Sequence, residues 1–475
     1  MAAAAIINIR AKPLARAILG RRASSAVRRV WIAPSSTFVG CFEPAACNKL
    51  RSPPRIAPSI NNRMGMANTS LSYYNVMMND NCQMIVYNAG AIWGHSGAEA
   101  LAISGGKICE VGFVDVLREK WQAETEVDAQ GLLLSPGFVD AHTHPAFATG
   151  RAEEFDWRAE GADYLEIAKR GGGILSSVAH VRDASLDHMI SICTLNFKRM
   201  LRHGTTTCEA KSGYGLSIES ELKSLEAIKI GGERAGITVV PTFLGAHMIP
   251  LEHRDTPQAY VDLLCDEMLP AVKEQGIAQT ADIFIEDGAF DIAQARQYCE
   301  AAVALGFELR VHADQFNNLG GVELACEFGA QSVDHLEALS DAGLECLAMS
   351  DKTFAGLLPT VPHFLRQKID APARKMIKAG VKYFIGTDFN PGSSYTPSLA
   401  EAAHFARVRL CLSAQESIHG VTAGAADSLG LGESKGRIKV GHDADLVFLN
   451  LPDFFHFGYA FGENPVVKVV LGDKL

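Results

Sequence analysis

The chain has 475 residues, of which 48% are hydrophobic, and its formal net charge is −10. This length and composition suit one barrel-sized domain with a smaller one beside it. No stretch approaches the roughly 20 consecutive apolar residues that cross a bilayer, so we expect no membrane partner, and the acidic balance argues against nucleic acid. The 11 cysteines are scattered without C-x-x-C pairs, which favours a reducing compartment over a disulfide framework.

The N-terminal segment differs in composition from everything that follows it. Residues 1–63 contain nine Arg and two Lys but a single acid, Glu43, so this segment carries +10 and the remainder −20. Arginines interleaved with aliphatic residues and followed by serines are typical of a mitochondrial or plastid transit peptide. We therefore expect a disordered leader that is removed on import into the mitochondrion or plastid. The alternative is an extension to a cytoplasmic product that starts at Met64 or Met66.

Short β-strands are predicted on both sides of the central part of the chain. In residues 64–136 the candidates are 83–87, 131–134 and a hairpin at 101–111 that turns at Gly105-Gly106. In residues 426–475 they are 436–440, 445–450 and 466–471. We expect one composite β-sandwich built by both ends of the mature chain, and the alternative is two unrelated β appendages.

Residues 137–425 alternate short apolar strands with longer helical stretches. The strand before His142 is followed by seven further candidates, at 204–208, 239–244, 283–286, 308–312, 332–334, 354–358 and 381–387. Apolar residues recur at helical spacing between them, for instance at 186–201 and 293–305. Eight strands that alternate with helices predict an α/β fold, a (β/α)8 TIM-like barrel, whose chemistry lies where the strands end.

Histidines and a carboxylate occupy several of these strand ends. The first strand ends in His142 and His144, which point to the same face if they are both in the strand, while His312 and Asp388 end two later strands. Three imidazoles and one carboxylate would hold one divalent metal ion and leave a position for water, as catalytic sites do; this donor set suits zinc or iron. His335 ends a further strand and would orient or deprotonate that water with Asp388, unless it only supports the site.

Further polar residues follow strand or helix ends, beside glycines that allow a ligand to approach the backbone closely. Arg151 can form a fork to a carboxylate, although a surface salt bridge with Glu153 or Glu154 would also explain it. We interpret the triple glycine at 171–173 as a flexible loop over the site. The other candidate ligand-binding residues are Tyr164, Tyr214, His247, Asn390, Gly392 and Ser393.

Together these motifs resemble the amidohydrolase superfamily and, from about residue 80 to the end, more closely the imidazolonepropionases. The superfamily is marked by Pro-Gly-Phe-Val-Asp-Ala-His-Thr-His at 136–144, and the narrower family by Lys-Ser-Gly-Tyr-Gly-Leu at 211–216 and Asp-Phe-Asn-Pro-Gly-Ser-Ser at 388–394. The resemblance implies the third step of histidine breakdown, the hydrolytic ring opening of 4-imidazolone-5-propanoate to N-formimino-L-glutamate. It also implies a homodimer.

The resemblance also implies roles for individual residues. One zinc or iron ion would bind four side chains, those of His142, His144, His312 and Asp388. Arg151 would hold the propanoate carboxylate of the substrate. The rest of the substrate or product would be surrounded by Tyr164, Tyr214, His247, Gln315, Asn390, Gly392 and Ser393. Gln315 stands where the family often has Glu; because an amide cannot act as a base, the candidate catalytic residues are Asp388, His335 and His247.

Two other functions are compatible with the same motifs. Another amidohydrolase, such as a deaminase of nucleobases, would use the same metal ligands, but Arg151 favours an anionic substrate over a neutral base. A barrel that serves only as a scaffold would have lost ligands, and all four are present in this sequence.

Overall fold

The computed structural model describes residues 80–162, 166–167, 170–472 and 474. The predicted leader at 1–63, the segment 64–79 and Tyr164 lie outside the described residues. The first described elements are β1 (Asp80–Tyr87), β2 (Ala91–Ile92), β3 (Ala100–Ser104), β4 (Lys107–Gly112), α1 (Val114–Lys120), β5 (Trp121–Asp128) and β6 (Leu133–Pro136). Four of these strands form a sheet in the order β4-β3-β1-β5, in which the predicted hairpin at 101–111 is β3 and β4.

Eight parallel strands then follow one another in a single sheet, in chain order. They are β7 (Phe138–Asp140), β8 (Thr205–Lys211), β9 (Thr238–Ala246), β10 (Thr280–Ile285), β11 (Glu308–Ala313), β12 (Ser332–His335), β13 (Phe354–Leu357) and β14 (Tyr383–Ile385). The segments after the first and last of them also join: Thr143 forms a parallel bridge with Phe389, and Asp388 N donates to His142 O at 3.0 Å. The predicted TIM-like barrel is confirmed, and its sheet closes beside the candidate metal ligands.

Helices alternate with the barrel strands and cover them. In the described residues they are α2 (Ala152–Ala159), α3 (Ile174–Asp183), α4 (Leu186–Arg202), α5 (Ile218–Ala235), α6 (Pro257–Leu263), α7 (Leu269–Gln275), α8 (Ile292–Ala304), α9 (Gly321–Glu327), α10 (Asp341–Met349), α11 (Thr360–Phe364), α12 (Ala373–Lys378), α13 (Leu399–Arg409), α14 (Ala414–Gly420) and α15 (Ala423–Ser428). A π-helical turn at Leu264–Met268 links α6 to α7, and short 3-10 helices lie at Leu251–His253 and Phe454–His456. None of the helices within these ranges is both long and apolar enough to cross a bilayer.

The helix predicted at 186–201 shows why these residues fold as they do. The Ser185 side chain accepts a hydrogen bond from His188 N and caps the first turn of α4. Residues three and four positions apart, among them Met189, Cys193 and Phe197, are buried on one face, as an amphipathic helix requires.

Both ends of the described chain build one β-sandwich, as predicted. The second sheet has the order β16-β15-β6-β2 and adds β15 (Leu446–Leu449) and β16 (Val466–Val470) to strands from before the barrel. Leu134 of β6 pairs with Phe448 of β15. The two sheets share one apolar core, to which both ends contribute, for example through Met84, Leu101, Leu134, Phe448 and Val470.

The structure corrects two details of the predicted strands. The apolar run before the histidines is two strands, because Gly137 separates β6 of the sandwich from β7 of the barrel. A Cβ at Gly137 would lie 2.1 Å from Thr206 Oγ1, so only glycine permits this close passage between the sheets. The strand predicted at 436–440 is irregular; Ile438 is buried there in the sandwich core, so its apolar character reflects burial without strand pairing.

Candidate metal centre and active site

Three imidazoles and one carboxylate converge at the closed edge of the barrel. His142 and His144 lie just after β7, and His312 lies within β11. His144 Nε2 is 3.2 Å from His142 Nε2 and 3.3 Å from His312 Nε2. Asp388 Oδ1 lies 3.4 Å from His142 Nε2 and 3.2 Å from His144 Nε2. All four side chains are buried. The structure therefore brings together the four residues that the sequence predicts as metal ligands.

Two buried carboxylates fix how these imidazoles are turned. His142 Nδ1 donates to Asp334 Oδ2 at 2.7 Å, and His312 Nδ1 donates to Asp282 Oδ1 at 3.0 Å. With the protons on Nδ1, each Nε2 presents a lone pair to the shared point. Neighbouring lone pairs repel unless a cation lies between them, so the donor set fits one metal ion.

The electrostatics of the centre require positive charge there. Burial disfavours the imidazolium of His142, yet the carboxylates of Asp334 and Asp388 outweigh it and raise the pKa of His142 to about 9. Burial lowers the pKa of His144 to about 4. Although burial opposes ionisation of Asp388, its hydrogen bonds with the two histidines keep its pKa well below the usual range. A divalent cation supplies the charge that these carboxylates demand.

A fully buried lysine connects the supporting carboxylates. Lys211, the last residue of β8, lies 2.7 Å from both Glu209 Oε1 and Asp282 Oδ2. Glu209 Oε2 in turn accepts from Thr143 N at 3.2 Å, between the first two histidines. One ion-pair network therefore links the His142–His144 segment to His312 through Glu209, Lys211 and Asp282. This network was not predicted, because a lysine at the end of a strand more often reaches solvent.

A cavity of about 80 Å³ lies beside the metal-ligand candidates. Tyr214, His247 and Phe284 line one wall, and the ring of His247 stacks on that of His144 with centroids 5.3 Å apart. His247 Nδ1 donates to Gly213 O at 2.9 Å, and burial lowers its pKa well below the usual value. The neutral ring can therefore accept or share a hydrogen bond with a ligand through Nε2.

His335 and Gln315 line the same cavity. His335 has a φ of 85° and the next residue, Leu336, a φ of 70°, a strained backbone of the kind found at functional sites. Burial lowers the pKa of His335 well below its usual value, so its imidazole is neutral. Its Nδ1 lies 4.0 Å from Glu337 Oε2.

Two arginines line one end of the cavity. Arg151 lies just before helix α2, and Arg158 lies in its last turn. The Arg151 side chain is 10% exposed, and its Nε lies 3.5 Å from Glu154 Oε1, so the salt bridge considered from the sequence exists within the cavity wall. Arg158 Nη2 donates to Gly392 O at 3.2 Å. Arg158 and Glu154 were not predicted; the signal that could have found Arg158 is its position seven residues after Arg151, on the same helix face.

The loop after Asp388 shapes the third wall. Asn390 Nδ2 donates to Asp388 Oδ2 at 2.9 Å and to Ser393 Oγ at 2.8 Å, while Asn390 Oδ1 accepts from the backbone N–H groups of Gly392 and Ser393. These residues line the cavity and also hold the carboxylate of Asp388 in place. Gly173, of the predicted glycine loop, lines the cavity as well, and its N–H donates to Glu154 Oε1 at 2.9 Å.

Comparisons with known proteins agree with this geometry. The model of the Amidohydrolase family matches residues 133–475. An imidazolonepropionase of Bacillus velezensis is 43% identical over 374 residues, which cover 79% of this chain and 88% of that protein. One from Myxococcus xanthus is 46% identical over 349 residues, 74% of this chain and 82% of that protein.

Solved structures show the same fold at lower identity. A zinc-bound adenosine deaminase from Xanthomonas campestris aligns with a TM-score of 0.66 at 18% identity, over 83% of this chain and 93% of its own. A guanine deaminase from E. coli aligns with a TM-score of 0.62 at 17% identity, over 79% and 91%. Proteins with this fold thus have several different activities. The sequence identity to the two imidazolonepropionases is far higher than the identity to these deaminases. The chain therefore belongs to the imidazolonepropionase family of amidohydrolases.

Proposed function

We propose that this protein hydrolyses 4-imidazolone-5-propanoate to N-formimino-L-glutamate, a step of histidine degradation. Water adds to the ring carbonyl carbon, the bond from that carbon to the ring nitrogen breaks, and the nitrogen takes a proton, so a carboxylate and a formimino group result. The observation that carries the proposal is a cavity with guanidinium groups at one end and a converging His3Asp set at the other. Such a cavity fits a small ring that bears a carboxylate.

The cofactor in this proposal is one divalent metal ion, zinc or iron. His142, His144, His312 and Asp388 would hold it, since their donor atoms meet at one point. A bound ion of this kind lowers the pKa of water and polarises a carbonyl oxygen.

The remaining chemistry is assigned to the chain's own residues. Asp388 and the neutral imidazole of His335 take the proton of the attacking water and return it to the departing nitrogen. His247 and Tyr214 orient the ring, and Gln315 hydrogen-bonds a ring nitrogen without acting as a base. Arg151 anchors the propanoate carboxylate, while Asn390 and Ser393 hold Asp388 in position.

The test is direct conversion of the substrate. Purified protein loaded with zinc or iron should consume 4-imidazolone-5-propanoate and release formiminoglutamate in equal amounts, and chelator-treated protein should not. Metal analysis of the protein as isolated decides between the two ions. Loaded protein that binds one metal ion but leaves the substrate intact would disprove the activity.

A nucleobase deaminase is the second candidate, because deaminases share the fold. The two arginines in the cavity favour an anionic substrate over a neutral base. Release of ammonia from guanine, adenine or cytosine by the loaded protein would favour this rival. A non-catalytic scaffold would bind no metal in the same analysis.

We further propose how the whole chain is organised. Residues 1–63 act as a mitochondrial or plastid leader, residues 64–136 and 426–475 form the sandwich domain, residues 137–425 form the hydrolase barrel, and two copies form a homodimer. The Arg-rich, acid-poor composition of the first segment supports import. An import assay with sequencing of the mature N-terminus tests it, since a mature protein that begins at Met1 would contradict a cleaved leader. Light scattering of the purified protein measures the oligomeric state.

A further inference from the structure

Arg158, near the end of helix α2, lines the same cavity as Arg151. Its Nη1 is buried and has no hydrogen-bond partner in the described residues. Nη2 donates to Gly392 O at 3.2 Å, and the guanidinium lies over the Phe364 ring at 5.5 Å. The group is therefore held in a fixed orientation with one N–H unsatisfied, and a buried donor without a partner is costly unless a ligand completes it.

Gly392 fixes the position of both arginines. A Cβ there would lie 1.0 Å from Arg151 Nη2, so the Arg151 guanidinium rests on the Gly392 backbone, while Arg158 bonds the carbonyl oxygen of the same residue. Within the described part of the chain, Arg151 Nη1 is likewise buried without a hydrogen-bond partner, whereas its Nε faces Glu154. Two guanidinium groups thus flank one peptide unit and present free donors to one cavity.

The charges of this wall do not balance within the protein. In the ranges that the structure describes, the ion pair of Arg151 is with Glu154, whose Oε1 lies 3.5 Å from Arg151 Nε, so this carboxylate faces two guanidinium groups. Burial lowers the pKa of Arg158, and the nearby charge of Arg151 lowers it further, against the opposing effect of Glu154. One negative charge from a ligand would neutralise the excess.

We propose that Arg158 is a substrate-binding residue that completes, with Arg151, a two-arginine clamp on the carboxylate of the ligand. The inference rests on the proposed function for the identity of the substrate but not for the chemistry of the clamp. Arg158 makes the protein select an anionic side chain over a neutral one of the same shape. Because a hydrogen bond to a charged group contributes more than one between neutral groups, the loss of Arg158 should weaken carboxylate binding about tenfold or more.

The experiment compares two non-hydrolysable probes, imidazole-4-propanoate and the neutral imidazole-4-propanamide, by calorimetry on metal-loaded protein. Wild type should bind the carboxylate more tightly than the amide. Arg158→Met should reduce that preference about tenfold, with amide affinity unchanged, and in turnover should raise KM with little change in kcat. The matched control is Arg366→Met, since Arg366 donates to Arg158 O at 3.3 Å but does not line the cavity; it should keep the full preference.

The outcomes separate this inference from the proposed function. Equal losses for both probes in Arg158→Met would show a merely structural role, and an unchanged preference would also overturn the clamp. If Arg158→Met fails to fold by circular dichroism, Arg158→Lys is used instead, which keeps the charge but loses the planar fork and should show an intermediate preference. If wild type prefers the carboxylate, Arg158→Met loses that preference, and 4-imidazolone-5-propanoate is not hydrolysed, the clamp stands and the proposed activity fails.

Discussion

Gly392 borders the end of the cavity that we propose binds the substrate carboxylate, and the Arg151 guanidinium occupies the space where a side chain at position 392 would be. A Cβ at this position would lie 1.0 Å from Arg151 Nη2. We expect Gly392→Ala to displace the guanidinium at the far end of the Arg151 side chain. Because charge-assisted hydrogen bonds to the substrate would be weakened, KM should rise about tenfold or more. Stability should change little, because a long side chain can move aside. Steady-state kinetics and Tm measure the two effects.

The control for this variant is Gly112→Ala, because a Cβ at Gly112 would meet nothing within 4 Å. It should leave both KM and Tm unchanged. A Gly392→Ala enzyme with the wild-type KM would show that Arg151 does not bind the substrate from its observed position.

In the proposed mechanism Asp388 both binds the metal ion and accepts a proton, and one substitution separates these roles from folding. Its φ of 49° is positive, a conformation that Asn adopts almost as readily as Asp. Asp388→Asn should therefore fold normally but lose the proton acceptor and the negative charge, so kcat should fall at least about a hundredfold. The exposed Asp255→Asn is the matched control, and kcat within tenfold of wild type in Asp388→Asn would contradict the assigned role.

The candidate metal ligands could be predicted from the sequence because each lies at or just after the end of a strand of a parallel barrel, and those strand ends meet at one edge. Arg158 and Lys211 could not be predicted in the same way. A charged residue on an amphipathic helix or at the end of a strand faces solvent in most proteins, and only the packing of the complete barrel turns these two inward. The hydrogen bonds that Asn390 makes within its own loop could not be predicted from the sequence either.

The barrel strands carry a buried ion-pair network that holds the candidate metal ligands. Lys211 pairs with Glu209 and Asp282, and Asp282 orients His312. Although burial opposes its charge, Asp282 and Glu209 raise the pKa of Lys211, so it is protonated. Lys211→Met should leave two buried carboxylates without a counter-charge and cost about 3–5 kcal/mol, measured by urea unfolding, and the bound metal should be lost on dialysis.

The control is Lys229→Met on the exposed face of α5, which should change neither quantity. Wild-type stability together with full metal retention in Lys211→Met would show that the network is dispensable.

Helices α12 and α14 are joined by an ion pair whose contribution depends on pH. Arg374 contacts both carboxylate oxygens of Glu416, at 2.7 and 2.9 Å, and these hydrogen bonds lower the pKa of Glu416 from 4.5 to about 2. A carboxyl group with a lowered pKa stabilises the fold above its ordinary pKa, and this stability is lost as the pH falls from about 4.5 to about 2. Because Arg374 is 46% exposed, Arg374→Met should cost only about 0.5–1 kcal/mol at pH 7.

Urea unfolding of wild type and Arg374→Met at pH 7 and pH 3 checks this. The difference between their free energies of unfolding should be smaller at pH 3. The control is Lys198→Met at an exposed position of α4, which should not change the free energy of unfolding at either pH. A difference that grows on acidification would have the wrong sign for a lowered pKa.

Strand prediction failed where packing, not local pattern, decides the structure. Strand β5 pairs with β1 along its full length, but it lies at the edge of its sheet and is mostly exposed, so it shows neither an apolar run nor a clean alternation. Residues 436–440 show the opposite case, since Ile438 enters the sandwich core from an irregular segment. The barrel strands and most sandwich strands were therefore predictable, while an exposed edge strand such as β5 and a buried irregular segment such as 436–440 were not.

The two ends of the described chain meet in one sandwich, and a single residue, Gly137, separates that sandwich from the first barrel strand. Strand β6 pairs with β15 from the far end of the chain, and β7 continues directly to His142 and His144. A loss of sandwich packing should therefore be transmitted to the metal centre through a very short backbone connection. The sandwich and the barrel should accordingly unfold together.

A substitution at Phe448 tests this coupling. Phe448 is 1% exposed and lies in the sandwich core, outside the barrel that carries the candidate catalytic residues. Phe448→Ala should cost about 3–5 kcal/mol and lower the midpoint for unfolding and the midpoint for loss of activity by the same amount. Phe455→Ala, at a residue that is 69% exposed, should change neither. If Phe448→Ala produced two separate transitions, with activity surviving the first, the barrel would hold its metal ligands without the sandwich, and the shared strand boundary at Gly137 would have no mechanical role.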